Sequence, residues 1–303
     1  MSRAGPAPLD WARDGADWPQ REASRFVSAG GLDWHVQVAG SGPKLLLLHG
    51  TGASTHSWRA LWPLLSDYRR IAVDLPGHGF TSVPADLSLG AMARALRALL
   101  AALDFRPDAI VGHSAGAAIA MRLVLDGVVA PRLVAGIGAA LQPFPGPAAF
   151  LFPSIARSLV MNPLVPALVA ATASLPGEPR RFLERATGSR IDEAGARLYG
   201  RLFRNHAHVA STLGMMAAWD LAPLVRDMPR LGVPLLLLHG TRDRTIPADV
   251  SVKAARQVPD GRAVLLPGLG HLAHEEAPVA VAGPLRAALA EAGPAAAKEE
   301  GRP

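Results

Sequence analysis

The sequence contains no cysteine and very little lysine. Without cysteine the chain has neither disulfides nor thiolate metal ligands, and nothing demands an oxidising compartment, so we expect a cytoplasmic protein. Of the 31 lysines and arginines, only Lys44, Lys253 and Lys298 are lysines, and no run of basic residues occurs. The formal charge of +6 and the pI near 10.6 therefore indicate scattered solvated arginine rather than a nucleic-acid partner.

Long uninterrupted hydrophobic runs are also missing, because prolines and charges interrupt every apolar stretch. No transmembrane segment is therefore predicted. Residues 1–25 are polar and lack the apolar core of a secretory signal. Half of the 303 residues are hydrophobic and 18% are charged, which predicts one large folded core that carries an insertion.

Short apolar runs alternate with helical patterns along most of the chain. Residues 25–39 form two extended runs around Gly30 and Gly31, which predicts an antiparallel hairpin. Buried parallel strands are predicted at Leu45–Leu48, Ile71–Val73, Ala109–Val111, Leu133–Ile137, Leu235–Leu238 and Ala263–Leu266. Helices are predicted at Trp58–Leu65, Leu89–Leu103, Ala115–Leu125, Val250–Gln257 and Val279–Ala290. The fold class is α/β, with an eight-stranded, mostly parallel sheet and flanking helices.

About 80 residues between Ala139 and Trp219 hold only helical signals and prolines, which is too long for an ordinary connection. We therefore expect a helical cap at residues 140–219, inserted into a core formed by residues 26–139 and 220–292. Residues 1–25 are expected to be an N-terminal extension, and residues 293–303 a disordered tail.

The cap falls into an apolar part and an arginine-rich part. The apolar part, Phe150–Ala173, is expected to pack on the core, to line an apolar pocket or to touch a membrane peripherally. The second part is either a solvated helix face or an anion-recognition patch. It contains Arg180, Arg181, Arg185, Arg190, Arg197, Arg201 and Arg204 against Glu178, Glu184, Asp192 and Glu193.

Ser114 lies in a G-x-S-x-G pattern, between the predicted strand Ala109–Val111 and the predicted helix Ala115–Leu125. In this context the flanking glycines relieve crowding in a sharp turn that exposes a nucleophilic serine above the sheet. A serine hydroxyl needs a base to accept its proton, and that base needs an orienting carboxylate. The pattern therefore predicts a base and an acid further along the chain.

His271 and Asp243 are the predicted base and acid, each in a loop that follows a predicted strand. Their order after the serine is that of the nucleophile-elbow enzymes. His274 is the nearest rival base, but we expect it on the following helix, at the surface or facing the cap. Asp220 is the rival acid, but it lies well ahead of its strand.

The predicted oxyanion hole consists of the backbone amides of Thr51 and Ala115. Thr51 lies in a His-Gly-Thr-Gly segment after the strand Leu45–Leu48, but the third glycine of a dinucleotide fingerprint is absent. No Walker A lysine and no metal-ligand motif occurs. We therefore expect no cofactor and no metal ion.

Together these segments resemble the α/β-hydrolase superfamily over about residues 26–290. A closer resemblance is to the BchO group, the magnesium-chelatase accessory proteins of bacteriochlorophyll synthesis. The segments that carry it are Asp14–Pro19, Arg21–Val27, Trp34–Gln37, His49–Ser54, His56–Arg59 and Gly79–Thr81. This resemblance implies a role near magnesium insertion into protoporphyrin IX and chelatase subunits as partners.

Two functional hypotheses follow from the residues and the resemblance. The first is a serine hydrolase that acts on a hydrophobic small molecule such as a tetrapyrrole ester or a lipid-like compound. The second is a non-catalytic accessory protein that binds chelatase subunits or porphyrin. Ser114 argues against dehalogenases and epoxide hydrolases, which use aspartate at the elbow, whereas haloperoxidases, thioesterases and carbon–carbon hydrolases use the same triad.

Overall fold

The computed structural model describes residues 8–142, 162 and 164–293. The strands are β1 Ser24–Ala29, β2 Leu32–Ala39, β3 Lys44–Leu48, β4 Arg69–Val73, β5 Ala109–His113, β6 Leu133–Ile137, β7 Leu235–Gly240 and β8 Gly261–Leu266. They form one sheet in the order β1-β2-β4-β3-β5-β6-β7-β8. Only β1 with β2 and β2 with β4 pair antiparallel. The predicted eight-stranded, mostly parallel sheet is confirmed.

The four leucines of β3 explain why the centre of the sheet is apolar on both faces. Successive side chains of a strand point to opposite faces. Leu46 and Leu48 belong to one hydrophobic core, and Leu45 and Leu47 belong to a second core on the other face. All four are fully buried, and each contributes about 2 kcal/mol by leaving water.

Helices cover both faces of the sheet. They are α1 Trp11–Asp14, α2 Leu89–Ala102, α3 Ala115–Leu125, α4 Leu164–Ala173, α5 Glu178–Thr187, α6 Glu193–Arg204, α7 His206–Ala217, α8 Ala222–Asp227, α9 Asp249–Gln257, α10 Ala273–Glu276 and α11 Pro278–Glu291. The hydroxyl of Ser88 caps α2 by accepting a hydrogen bond from the amide of Ala91. The bounds of α2, α3, α9 and α11 agree with the sequence prediction to within one residue.

The helix predicted at Trp58–Leu65 is wrong. The chain instead forms two 3₁₀ turns here, one at Thr55–Trp58, which ends where the helix was expected to begin, and one at Trp62–Leu65. Proline at position 63 has no amide hydrogen to donate to the carbonyl four residues earlier, so a continuous α-helix would lose a bond there. The first turn is held by the buried Asp74, whose carboxylate accepts the amide of Thr55 at 2.7 Å.

Helices α4 to α7 stand between β6 and β7 in the chain, where the cap was expected. The cap limits 140–219 stay a prediction, and most of the apolar segment Phe150–Ala173 lies outside the described residues. The predicted disordered tail lies outside them as well, apart from Gly293. Within the N-terminal segment, Leu9 and Trp18 pack in one cluster with Leu202 of α6.

Candidate active site

Ser114 stands in a strained turn between β5 and α3. Its φ of 51° and ψ of −117° are unfavourable for a residue with a side chain. The glycines on either side make the turn possible, because a Cβ on Gly112 would collide with the backbone of Ala117, and one on Gly116 with the carbonyl of Leu48. The predicted serine thus lies where a short backbone path joins a central strand to a helix.

His271 and Asp243, predicted as base and acid, are brought together by the loops after β8 and β7. Nδ1 of His271 lies 2.7 Å from Oδ2 of Asp243. The other carboxylate oxygen, Oδ1, accepts the backbone amides of Thr245 at 2.8 Å and Ile246 at 2.9 Å. The carboxylate is therefore fixed by its own loop and can orient the imidazole from a rigid position.

His239 is a second histidine on the same carboxylate, and the sequence analysis did not identify it. Its Nε2 lies 3.1 Å from Oδ2 of Asp243 and 3.0 Å from the carbonyl oxygen of Ile246. Both neighbours are acceptors, so Nε2 carries the proton, and Nδ1 accepts from the hydroxyl of Ser251 at 2.7 Å. The available signal was the position of His239 on β7, four residues before Asp243.

The Asp243 carboxyl is strongly acidic in this setting. Its burial opposes ionisation, but hydrogen bonds from His239 and His271 outweigh burial and lower its pKa from 3.8 to about 2. The side chain has no exposed surface. Asp243 therefore stays ionised at neutral pH and favours a proton on Nδ1 of His271, which leaves Nε2 as the basic nitrogen.

The predicted oxyanion donors, Thr51 and Ala115, line the same cavity as Ser114 and His271. Ala115 is the first residue of α3, and the amides of the first helical turn have no acceptor within the helix. The hydroxyl of Thr51 contacts Sδ of Met215 at 3.5 Å, which ties the loop after β3 to α7. The role of the two amides as a pair stays a prediction.

The cavity has a volume of about 710 Å³ and lies between these groups and the inserted helices. Its described lining is mainly apolar and includes Leu168, Phe182, Phe203, Met216 and Trp219. Among the described residues that line it, Glu178 is the only carboxylate, and none is a lysine or arginine. Its size and lining suit a largely uncharged, hydrophobic small molecule.

The rival candidates lie in other settings. His274 is on α10, as expected, but the expected surface position is wrong, because the side chain is fully buried. The alternative that it faces the cap stays a prediction. Its ring packs against Trp58 and His113, with centroid distances of 4.9 and 4.5 Å. Burial lowers the pKa of His274 to about 3, which keeps it neutral. Asp220 is exposed and accepts the amide of Ala222.

A buried polar network joins α6 to the segment that follows His271. Glu275 of α10 accepts the hydroxyl of Tyr199 at 2.8 Å and Nη1 of Arg59 at 2.8 Å. Arg59 also pairs with Asp192, which caps α6. Burial outweighs these contacts and raises the pKa of Glu275 to about 7. The network connects the inserted helix α6 to the helix α10 that follows His271, and no local sequence motif predicts it.

The comparisons with known proteins agree with this geometry. The sequence matches the α/β-hydrolase family over residues 45–283. The chain belongs to this family. It is 44% identical over 267 residues to a protein named magnesium-chelatase 30 kDa subunit, from Rhodobacter capsulatus, a match that covers 86% of this chain and 93% of the relative. The resemblance to the BchO group is thereby confirmed.

Solved structures show the same fold at low identity. An α/β-hydrolase-fold protein from Burkholderia ambifaria superposes with a TM-score of 0.71 at 23% identity, covering 92% of this chain and 98% of that one. The epoxide hydrolase CorEH superposes with a TM-score of 0.74 at 23% identity, covering 88% and 98%. These similarities support the fold alone.

Two features are absent from the part of the chain that the structure describes. No group of three or more His, Asp or Glu side chains in that part of the chain is arranged to hold a metal ion. No helix in it is long and apolar enough to cross a bilayer.

Proposed function

We propose that this α/β-hydrolase is a serine hydrolase that cleaves an ester-like bond in a hydrophobic substrate. Ser114 is the proposed nucleophile, His271 the base and Asp243 the orienting acid. The observation that carries the proposal is the 2.7 Å contact between His271 and Asp243 at a cavity that Ser114 also lines. The strained turn at Ser114 supports the same assignment.

In the proposed reaction, Oγ of Ser114 attacks the ester carbonyl carbon while Nε2 of His271 takes the hydroxyl proton. The amides of Thr51 and Ala115 hold the oxyanion, and each such donor typically contributes about 3 kcal/mol. The carbon–oxygen bond then breaks, and His271 returns the proton to the leaving alcohol. Water attacks the acyl-serine with the same proton transfers, which releases the acid and restores Ser114.

We further propose that the substrate belongs to bacteriochlorophyll biosynthesis at the magnesium chelatase step. The name of the relative with 44% identity, magnesium-chelatase 30 kDa subunit, supports the chelatase step in this assignment. The mainly apolar cavity favours a tetrapyrrole ester or a similarly hydrophobic molecule over a free dicarboxylate, because no lysine or arginine lines its described part. On this proposal residues 140–219 act as the cap, the protein works in the cytoplasm, and chelatase subunits are its partners.

The proposal is tested with a fluorophosphonate probe, which labels an activated serine without knowledge of the substrate. Labelling of the wild type should be lost in Ser114→Ala and in His271→Ala. Matched controls are Ser174→Ala and His206→Ala, since both side chains are exposed and lie outside the cavity lining. An unlabelled but folded wild type would contradict the proposed hydrolase, as would full labelling of Ser114→Ala.

The second candidate is a non-catalytic accessory protein that binds chelatase subunits or porphyrin. The relative is named as a subunit, which favours this reading. The two candidates separate in a pigment-forming cell that lacks the native gene. Rescue of pigment synthesis by Ser114→Ala would support the accessory role, and failure of that variant beside a rescuing Ser174→Ala control would support hydrolysis.

A further inference from the structure

Exposed apolar side chains are concentrated on α4, α5 and the link between them. Leu164, Leu168, Leu175 and Phe182 have exposed fractions of 72%, 68%, 58% and 49%. Leu164 and Leu168 are one turn apart and so share a face of α4. A soluble protein seldom exposes large apolar side chains in such a group without a partner.

Two of these side chains also line the cavity above Ser114. Leu168 and Phe182 are both exposed to solvent and part of the cavity wall, so they form a rim of the opening. The entrance is therefore apolar on its outer side as well as inside. A molecule that suits this cavity dissolves poorly in water and resides in a hydrophobic phase.

The same region is rich in arginine. Residues 164–204 contain seven arginines against four acids. Arg180, Arg181 and Arg185 are exposed on α5 beside Phe182. Glu178 contacts Arg181 and Arg185, so it offsets only part of their charge. Guanidinium groups bind phosphate oxygens through paired hydrogen bonds.

We propose that this docking face, defined by Leu164, Leu168, Leu175, Phe182 and the three arginines of α5, binds an anionic lipid bilayer. Surfaces that lie in a bilayer interface are typically composed of leucine and phenylalanine next to arginine. The apolar side chains enter the headgroup region and the arginines contact the anionic headgroups. The cavity then receives its substrate directly from the bilayer, a step that rests on the proposed hydrolase function.

Flotation with vesicles tests the docking face. We expect wild-type protein to float with phosphatidylcholine vesicles that contain phosphatidylglycerol, and about tenfold less with pure phosphatidylcholine. The double variant Leu164→Ser, Leu175→Ser should lose about tenfold or more of its vesicle affinity, because two apolar anchors are removed. Neither residue lines the cavity. Val279→Ser is the control, since Val279 is 73% exposed on helix α11, which contributes no residue to the docking face.

Absence of wild-type flotation would overturn the proposal, as would equal flotation of the double variant and the wild type. Equal binding to neutral and anionic vesicles would overturn the part assigned to the arginines. Fluorophosphonate labelling in vesicle-free solution separates this proposal from the hydrolase proposal. The double variant should be labelled like the wild type. A wild-type protein that floats with vesicles but is never labelled would support the docking face and contradict the hydrolase proposal.

Discussion

Replacing Asp243 by asparagine should leave His271 in a form that cannot accept a proton from Ser114. Oδ1 of Asp243 accepts two backbone amides, so the side-chain oxygen of the asparagine has to remain there. The new amide NH₂ then points at Nδ1 of His271, which lies 2.7 Å from Oδ2 in the wild type. Nδ1 must become an acceptor, and the imidazole proton moves to Nε2.

The expected loss is about 10⁴-fold in kcat, equivalent to about 5 kcal/mol of transition-state stabilisation. KM should change little, because Asp243 is not part of the cavity lining. The fold should also persist, because His239 can change tautomer, accept the new amide proton and donate to Ser251, at the cost of one hydrogen bond from its Nε2 to the carbonyl of Ile246. The assay is the rate of fluorophosphonate labelling, followed by hydrolysis of a p-nitrophenyl ester once one is found that the wild type cleaves.

Asp220→Asn is the matched control, because Asp220 was the rival acid and is exposed. It should react like the wild type. The reasoning would be refuted if Asp243→Asn kept its rate within about threefold of the wild type, or if Asp220→Asn were the impaired variant.

Three further predictions concern stability and are measured by urea unfolding. Arg59→Met should lower the free energy of unfolding by about 3 kcal/mol at pH 8.5, because it leaves the buried Glu275 carboxylate without its positive partner. The loss should be smaller at pH 5.5, where Glu275 is protonated. The pKa of Glu275 is raised from 4.5 to about 7, so protonation of this carboxyl adds about 3 kcal/mol to the free energy of unfolding. This contribution is fully present below pH 4.5 and is lost as the pH rises through 7. Glu275→Gln should remove that pH dependence, and a variant that keeps the wild-type profile would contradict the assignment. Gly116→Ala should prevent stable folding because its Cβ meets the carbonyl of Leu48, whereas Gly232→Ala, which has open space, should be nearly neutral.

The parts of the molecule that could be predicted have signals within a few neighbouring residues. β6 was predicted to the residue, because a short apolar run between Arg132 and Gly138 specifies a buried strand without help from distant contacts. β5 extends two residues beyond its prediction because Gly112 and His113 continue to pair with β6. The glycine pattern around Ser114 is equally local.

The unpredicted parts depend on residues that are far apart in the chain. Arg59 and Glu275 meet across 216 positions, and no local pattern relates one residue to the other. His239 was not identified because it directly follows the predicted strand Leu235–Leu238, and a histidine at such a position has the same sequence context whether or not it contacts a carboxylate. The burial of His274 depends on the ring of Trp58 packing over it, a tertiary contact that periodicity does not encode.

The position of the inserted helices also sets the order in which a growing chain can assemble its reactive groups. Ser114 follows β5, whereas Asp243 and His271 follow β7 and β8, and helices α4 to α7 are synthesised in between. A nascent chain therefore carries the serine turn long before it can pair an acid with a base. On the proposed mechanism, the enzyme stays inert on the ribosome until its last two strands have joined the sheet.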